Sequence, residues 1–394
     1  MDMTENKVAR GSLSLLGAIT LSRVAFGYQT QTVASIGPDL IAAFGIILAV
    51  LGTLIGLYLT LGIFTALPCG FLAQRFGDRR VVATGLGLMA AGSLVSALSE
   101  GPFGLGAGRL IAGGGAVALT VLQGKILADR FEGRAFMLAM GLSVGAFPIG
   151  IGLGQLTQAP LAHGFGWSAP FVAGAAVAAV AGVWLMLAWG QKSSGDPGGL
   201  RMPSRHECAL ALIAGVVWTA YNAGFANFLG FMPIYLRAHG HPDWIANLVI
   251  SIATWGNLPA ILLGSGLAGR FGADRMFLIG SMLSVTAVLG MGLVDWPLVW
   301  GTLFGTLASV HAGIIFAKGT LSARPEHRAV GMGLFYMTYY LGGSFIPTLC
   351  GKVADYVGDP RGAFLCAGTL AAVAIPAYFL HRRLQIRGPV PHRA

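Results

Sequence analysis

The sequence is short of charge. Asp, Glu, Lys and Arg together make up 10% of the 394 residues, while hydrophobic residues make up 55%. A soluble domain carries charge at about 25% of its positions. So few charges cannot cover a water-facing surface of this size. The composition therefore excludes a soluble enzyme, a nucleic-acid-binding protein and a disordered chain, and it indicates an integral membrane protein.

Cysteine is also scarce, with four residues in the chain and no CxxC pair. All four lie in or beside apolar runs, a placement typical of buried, reduced thiols. The sequence contains no HExxH, no P-loop pattern and no cluster of metal-ligand residues. Residues 141–145 fit the GxSxG pattern, but their flanks have the composition of membrane helix. We therefore predict no enzyme, no metal, no cofactor and no ATP-driven pump.

Apolar runs and glycine are abundant instead, with 60 glycines in the chain. A membrane-spanning helix needs ~20 apolar residues, and small residues let helices pack closely in lipid. These runs predict an all-α polytopic membrane protein with twelve transmembrane helices. The twelve spans, numbered in chain order, are expected at residues 12–36, 46–72, 80–98, 102–127, 135–157, 169–190, 208–236, 245–268, 275–293, 298–320, 329–350 and 363–383.

Positive charge predicts the topology. Of the 25 Lys and Arg residues, 20 fall in segments on the side that holds both termini, three fall on the other side and two lie within spans. This bias predicts that both termini are cytoplasmic. The expected location is a bacterial inner membrane. The basic residues are spread over seven segments, so the net charge of +10 does not indicate a nucleic-acid partner. The expected surroundings are the lipid bilayer.

The chain also repeats itself. Residues 72–77 read LAQRFG, and residues 267–272, which lie 195 positions later, read LAGRFG. Both copies follow an even-numbered span on the predicted cytoplasmic side. The repeat predicts two pseudo-symmetric six-helix bundles, with the N-terminal bundle at 1–190 and the C-terminal bundle at 208–394. The polar stretch 191–207 is the predicted cytoplasmic linker.

The segment between spans two and three, GFLAQRFGDRR at residues 70–80, resembles the signature G-x-L-a-D-r-x-G-r-r of the major facilitator superfamily. The candidate residues of this loop motif are Gly70, Arg75, Gly77, Asp78 and Arg79. The usual Asp of the motif is Gln74 in this chain. In the family that acid helps to latch the outward-open state, so the resemblance implies a weaker or rearranged latch.

Span four adds a second similarity, because residues 109–115 match the R-x-x-x-G-x-G motif of the family's fourth helix. More loosely, spans one and seven are similar to the cyanate/2-nitroimidazole permease branch. The resemblance implies the major facilitator fold and a secondary transporter that works as a monomer. Its implied partners are a small-molecule substrate and a coupled proton or counter-anion.

Ionisable groups inside the spans are the sharpest functional clue. All 15 acidic residues fall in the predicted aqueous segments, whereas Arg23 and Arg109 lie within spans. Arg23 is ~16 Å into the first span, near the midplane. A guanidinium group without a carboxylate nearby is suited to an anionic substrate, or it packs helices through backbone carbonyls. For Arg109 the resemblance implies a structural or proton-linked role, and direct contact with an anion is the alternative.

Helical spacing groups the remaining candidates. Thr30 shares a face with Arg23, and Trp218, Tyr221 and Asn222 cluster in span seven. In span ten, His311 is either a proton-responsive group or a packing residue. The resemblance implies that spans one, four, seven and ten line the central cavity. We therefore expect these residues to bind the substrate, although aromatic and amide side chains also pack helices.

These observations lead to a hypothesis about function. The chain is expected to be a secondary active transporter of a small organic or inorganic anion, working by alternating access. A proton-coupled efflux antiporter for drugs or metabolites is the first alternative, although such carriers often use an intramembrane acid. The second alternative is a membrane sensor or scaffold on a transporter fold.

Overall fold

The structure is a computed structural model that describes residues 3–128, 130–131, 133–189, 203–324 and 327–387. In these residues the regular elements are seventeen helices. Their bounds are α1 Met3–Ser35, α2 Gly37–Phe44, α3 Leu48–Thr60, α4 Gly62–Phe76, α5 Asp78–Ala97, α6 Pro102–Ala128, α7 Gly133–Phe165, α8 Ala169–Ala188, α9 Arg205–Ala238, α10 Asp243–Trp255, α11 Asn257–Phe271, α12 Ala273–Leu293, α13 Pro297–Thr306, α14 Ala312–Thr320, α15 Arg328–Val357, α16 Arg361–Ala372 and α17 Ala374–Arg387.

The helices follow the predicted spans, so the all-α polytopic fold is confirmed. Spans two, eight, ten and twelve are each built from two helices, namely α3 with α4, α10 with α11, α13 with α14 and α16 with α17. The short helix α2 is an addition that the hydropathy pattern does not predict. Seven of the described stretches are by themselves long and apolar enough to cross a membrane. A helix satisfies its own backbone polar groups in lipid, which is why these runs are helical.

The four two-part spans differ from the sequence prediction, which treats each as one continuous run. The break in span ten is the longest, and its surroundings explain it. Gly264 of α11 lies against the carbonyl of Val310, and Gly280 of α12 lies against the ring of His311. A Cβ at either glycine would collide with residues of the break. The two glycines therefore make room for non-helical backbone where lipid-exposed backbone would be costly.

The chain forms two compact units. The first comprises Met1–Ile36 and Phe64–Gly198, and the second comprises Gly37–Ile63 and Gly199–Ala394. The second unit thus takes in residues 37–63, which the predicted division assigns to the N-terminal bundle. Most of the predicted linker 191–207 lies outside the described residues, so the proposed bundle boundaries stay a prediction.

Within the first unit, α1 and α7 form a close seam. Gly27 of α1 lies on the carbonyl of Phe147, and Gly150 of α7 lies on the carbonyl of Val24. Side-chain amides join the same helices further along. Gln158 Nε2 donates to the carbonyl of Tyr28 at 2.8 Å. The two backbones therefore touch directly, which is how helices gain packing energy in lipid.

The second unit is built around α9, which packs against α14, α15, α16 and α17. Aromatic rings fill its interior. The rings of Phe228 and Phe304 stack with centroids 4.3 Å apart, and those of Phe277 and Tyr378 stack at 3.7 Å. Burial of such rings supplies contact area, and stacking adds about 0.5–1.5 kcal/mol per pair.

The internal repeat is visible in the backbone. Gly77 precedes α5 with a φ of 82°, and Gly272 precedes α12 with a φ of 91°. Both values lie in a region that favours glycine. The two copies of the repeated hexapeptide therefore make the same turn in the two units.

The α1–α7 seam yields a test of stability. We expect Gly150→Ala to destabilise the protein by about 1–3 kcal/mol, because the added methyl group has no space against the carbonyl of Val24. Gly87→Ala is the matched control, since a Cβ at Gly87 in α5 meets nothing within 4 Å, and it should be neutral or stabilising by up to ~1 kcal/mol. Thermal unfolding in detergent measures both variants. Equal midpoints would contradict the role of the seam.

Candidate functional site

Arg23 of the first unit lies in the interior of α1 and is 7% exposed. Its Cζ atom is 5.2 Å from the ring centroid of Phe26 and 5.3 Å from that of Phe147. Its Nη1 donates to Thr120 Oγ1 at 3.4 Å. Two aromatic faces and a hydroxyl group are favourable but neutral neighbours for a guanidinium group. All three contacts of Arg23 described here are therefore with groups that carry no charge.

Acidic residues in the described part of the chain lie near the ends of helices. Every Asp and Glu in the described residues lies within about one turn of a helix end or between helices. Arg23, by contrast, lies twelve residues before the last residue of α1, or ~18 Å along the axis. Arg23 therefore lies well inside its own helix, whereas the described carboxylates lie near helix ends.

Arg109 has a different environment, although it is also buried, at 2% exposure. Its Nη1 donates to the carbonyl of Gln29 at 2.5 Å, and its Nη2 donates to the carbonyl of Thr30 at 3.4 Å. The guanidinium group thus joins α6 to the backbone of α1. This geometry supports the structural interpretation of Arg109.

Thr30 shares the contacts of Arg109 rather than those of Arg23. Its hydroxyl donates to the carbonyl of Phe26 at 2.8 Å, within α1, and its own carbonyl accepts from Arg109. The hydroxyl of Thr30 therefore uses its single donor inside its own helix. A hydroxyl oxygen still has acceptor capacity, so a role for Thr30 in substrate binding stays a prediction.

Two further residues of this site were not found by sequence reasoning. Thr120 lies in span four, and helical spacing within that span gives no sign that it contacts Arg23 of span one. Phe147 precedes Pro148 in span five, and no periodicity ties it to span one. It reaches Arg23 because Gly27 admits the backbone of α7, which leaves the rings of Phe26 and Phe147 4.7 Å apart.

In the second unit, Trp218 of α9 is the centre of a cluster of rings. The centroid distances from Trp218 are 5.5 Å to Tyr221, 6.0 Å to Phe316, 6.0 Å to Phe335 and 6.5 Å to Tyr339. Trp218 itself is partly exposed. The cluster joins α9, α14 and α15, and it presents aromatic faces that suit an apolar or cationic group.

Asn222 lies one turn after Trp218, and its Nδ2 donates to the Trp218 carbonyl at 2.8 Å. This bond occupies one donor of the amide and leaves a second donor and the oxygen. The structure therefore brings Trp218, Tyr221 and Asn222 together, as their helical spacing predicts. Substrate contact by these residues stays a prediction.

His311 lies at the start of α14, where span ten is broken, and is 1% exposed. Its ring is 5.1 Å from that of Tyr221 and 5.6 Å from that of Phe277, edge-on in both cases. Tyr221 Oη donates to Ser309 Oγ at 3.1 Å. The imidazole is thus surrounded by rings and by Gly280. A continuous helical face through span ten, on which its pocket position was predicted, is absent from the described residues.

The loop signature joins α4 to α5. Gly70 lies in α4, Gly77 makes the turn, and Asp78 begins α5, where a carboxylate favours the positive end of the helix dipole. Arg79 Nη2 donates to the carbonyl of Met186 at 2.8 Å, near the last turn of α8. Arg75 lies over the ring of Phe76 at 5.5 Å. The motif therefore anchors the end of α8, and its part in conformational change stays a prediction.

Comparison with known proteins supplies the family. Residues 19–347 and 216–394 match the family profile described as Major Facilitator Superfamily. The chain is 25% identical over 340 residues to the inner membrane transport protein YajR of Escherichia coli, covering 82% of this chain and 73% of YajR. It is 27% identical over 348 residues to human monocarboxylate transporter 11, covering 81% and 72% of the two chains.

A third relative is the 3-(3-hydroxy-phenyl)propionate transporter of Escherichia coli, 25% identical over 307 residues, with 73% of each chain covered. Among solved structures, a bacterial homologue of the human lysosomal transporter Spinster superposes with a TM-score of 0.75. That superposition covers 96% of this chain and 97% of the other at 16% identity. The structural likeness concerns the fold.

The two buried arginines should differ in their effect on stability. We expect Arg109→Gln to lower the free energy of unfolding by about 1.5–3 kcal/mol, because carbonyls of α1 lose a charged donor. Arg23→Gln should lower it by less than Arg109→Gln does, since the contacts of Arg23 with Thr120, Phe26 and Phe147 are with neutral groups. Thermal unfolding of both variants in detergent is the measurement. A larger loss for Arg23→Gln than for Arg109→Gln would contradict this assignment.

Proposed function

The chain belongs to the major facilitator superfamily, and from this premise we propose that it is a secondary carrier of small organic anions that works by alternating access. Membership of the family makes the protein a membrane transporter of small molecules rather than an enzyme. Transport of an anion is the finer step, and it rests on residues of the chain itself.

The single observation that carries the proposal is the position of Arg23. A charge deep in the hydrocarbon region is costly and is retained where it has a function. Arg23 is held by two aromatic faces and a hydroxyl group, while the described carboxylates lie at helix ends. Guanidinium is weakly hydrated and binds a carboxylate through two parallel hydrogen bonds. A carboxylate substrate therefore suits this site better than a cation.

The relatives favour a carboxylate with an apolar body. Two of them are named for the transport of a monocarboxylate and of a hydroxyphenylpropionate. The ring cluster around Trp218 in the second unit offers aromatic faces for such a body. We propose that the apolar part of the substrate packs on this cluster during transport, with Tyr221 and Asn222 as its polar neighbours.

The substrate range, the location, the oligomeric state and the proton relay are also part of the proposal. Loose similarity to the cyanate/2-nitroimidazole branch makes cyanate a useful member of the first substrate screen. A bacterial inner-membrane location, cytoplasmic termini and a monomer are also proposed. His311 is the proposed proton-responsive group, and substrate-driven proton flux that survives His311→Ala would point to another relay or to proton-coupled efflux through different residues.

Removal of the Arg23 charge should abolish anion transport. In proteoliposomes reconstituted with purified protein, we expect Arg23→Gln to lower the uptake of labelled 3-phenylpropionate by tenfold or more. Arg23→Lys should retain part of the activity, because it keeps the charge but loses the planar fork. Arg237→Gln is the control, since Arg237 is an exposed arginine in the last turn of α9. Unchanged uptake by folded Arg23→Gln protein would refute the anion site.

Loss of the aromatic cluster should weaken the transport of carboxylates that have an apolar body. We expect Trp218→Ala to raise the KM for 3-phenylpropionate about tenfold, a loss of roughly 1.4 kcal/mol, while the KM for acetate changes little. Trp218→Phe, which keeps a ring, should lie close to the parent protein. Competition uptake assays with the two carboxylates measure the difference. An equal effect on both substrates would assign Trp218 to packing alone.

A further inference from the structure

Residues 37–63 belong to the second compact unit, although the chain on both sides of them starts in the first. Helices α2 and α3 belong to the second unit, whereas α1 before them and most of α4 after them belong to the first. The segment is thus tied at both ends to helices of the first unit. The contacts of α3 within the second unit are therefore the ones that hold this segment in place.

Helix α3 lies along α15 in direct backbone contact. Gly52 faces the carbonyl of Pro347, and Gly56 faces the carbonyl of Ser344. From the other side, Gly351 of α15 faces the carbonyl of Leu48. A Cβ at any of these glycines would have no space, so the two helices meet at glycine on both surfaces.

Polar groups cross the same seam. Thr53 Oγ1 and Thr348 Oγ1 are 3.0 Å apart and share a hydrogen bond. At the start of α3, Asp355 accepts two backbone hydrogen bonds, from Leu48 N to Oδ1 at 3.0 Å and from Ala49 N to Oδ2 at 2.8 Å. Both oxygens of one carboxylate are therefore engaged by a helix that begins 307 positions away in the chain.

Helix α3 has no cap of its own. Its N-cap residue is Ile47, whose side chain has no oxygen and makes no capping bond. The first N–H groups of a helix need acceptors, and a carboxylate there also favours the positive end of the helix dipole. Asp355 provides the hydrogen-bond acceptor that a Ser, Thr, Asn or Asp side chain at the N-cap provides in other helices. It can do so only while α3 lies on α15.

We propose that Asp355 is a positioning residue that latches α3 onto α15, and that release of this latch opens the seam on the membrane side opposite the chain termini. The glycine contacts give the seam a close fit, and the carboxylate makes the closed arrangement favourable by capping a helix that is otherwise uncapped. When α3 leaves, its first N–H groups lose their acceptor.

The latch requires no particular substrate, and none of the residues proposed for the anion site belongs to it.

Cysteine labelling tests the latch directly. In full-length protein whose four native cysteines are replaced by Ser, Ser344→Cys is the reporter, because Ser344 is 5% exposed and lies against Gly56 of α3. A membrane-impermeant maleimide is applied to proteoliposomes from the side opposite the termini. We expect slow labelling in this background and labelling about tenfold faster once Asp355→Ala is added.

Two controls separate release of α3 from general loosening. Asp359→Ala removes a neighbouring carboxylate that accepts from Arg361 N at 2.8 Å and caps α16 instead, so it should leave the labelling of Ser344→Cys unchanged. In a second background that keeps only Cys350, which is 0% exposed in α15, Asp355→Ala should leave labelling slow. An unchanged rate at Ser344→Cys, or an equal acceleration at Cys350, would overturn the proposal.

Discussion

Direct contact between helix backbones is the constraint on which this structure depends. Lipid tails are as apolar as the helix surfaces, so burial of apolar side chains does not drive helices together within a membrane. Packing and hydrogen bonds must do so instead. At Gly27 and Gly150 in the first unit, and at Gly52, Gly56 and Gly351 in the second, a backbone carbonyl of the facing helix occupies the space of a side chain. Glycine at these positions is what allows the two backbones to touch.

Close contact in turn sets the surroundings of the two buried arginines. Because α7 approaches α1 at Gly27, Phe147 reaches the guanidinium group of Arg23. Arg109 instead meets the carbonyls of Gln29 and Thr30 on α1. Two residues of the same chemistry thus have different tasks. Arg109 uses its donors to hold helices, while the contacts of Arg23 with Thr120, Phe26 and Phe147 are with neutral groups.

Helix ends are the other recurring device, and in this protein they are often satisfied at a distance. Arg79 and Arg130 donate to the carbonyls of Met186 and Trp189 at the end of α8. Asp355 accepts from the first N–H groups of α3. These bonds join helices that are far apart in sequence, so each bond exists only while its two helices are in contact. A charged side chain that caps a distant helix can therefore act as part of a conformational switch.

The sequence by itself determined the membrane location, the helical class, the approximate bounds of twelve spans and the presence of two interior arginines. Each of these follows from local properties, namely the length of an apolar run and the position of a charge within it. The internal repeat is also a property of the sequence, and its two copies end at Gly77 and Gly272. Sequence reasoning also brought Trp218, Tyr221 and Asn222 together, since their spacing is that of one helix.

Tertiary structure alone decided which groups meet across the chain. The partners of Arg109 lie 79 and 80 positions away, those of Asp355 lie 306 and 307 positions away, and Thr120 lies 97 positions from Arg23. The break in span ten and the place of α3 in the second unit were likewise decided by tertiary structure. The physical reason is that these features depend on where facing glycines let two backbones touch, and helical periodicity within one segment carries no information about the segment opposite.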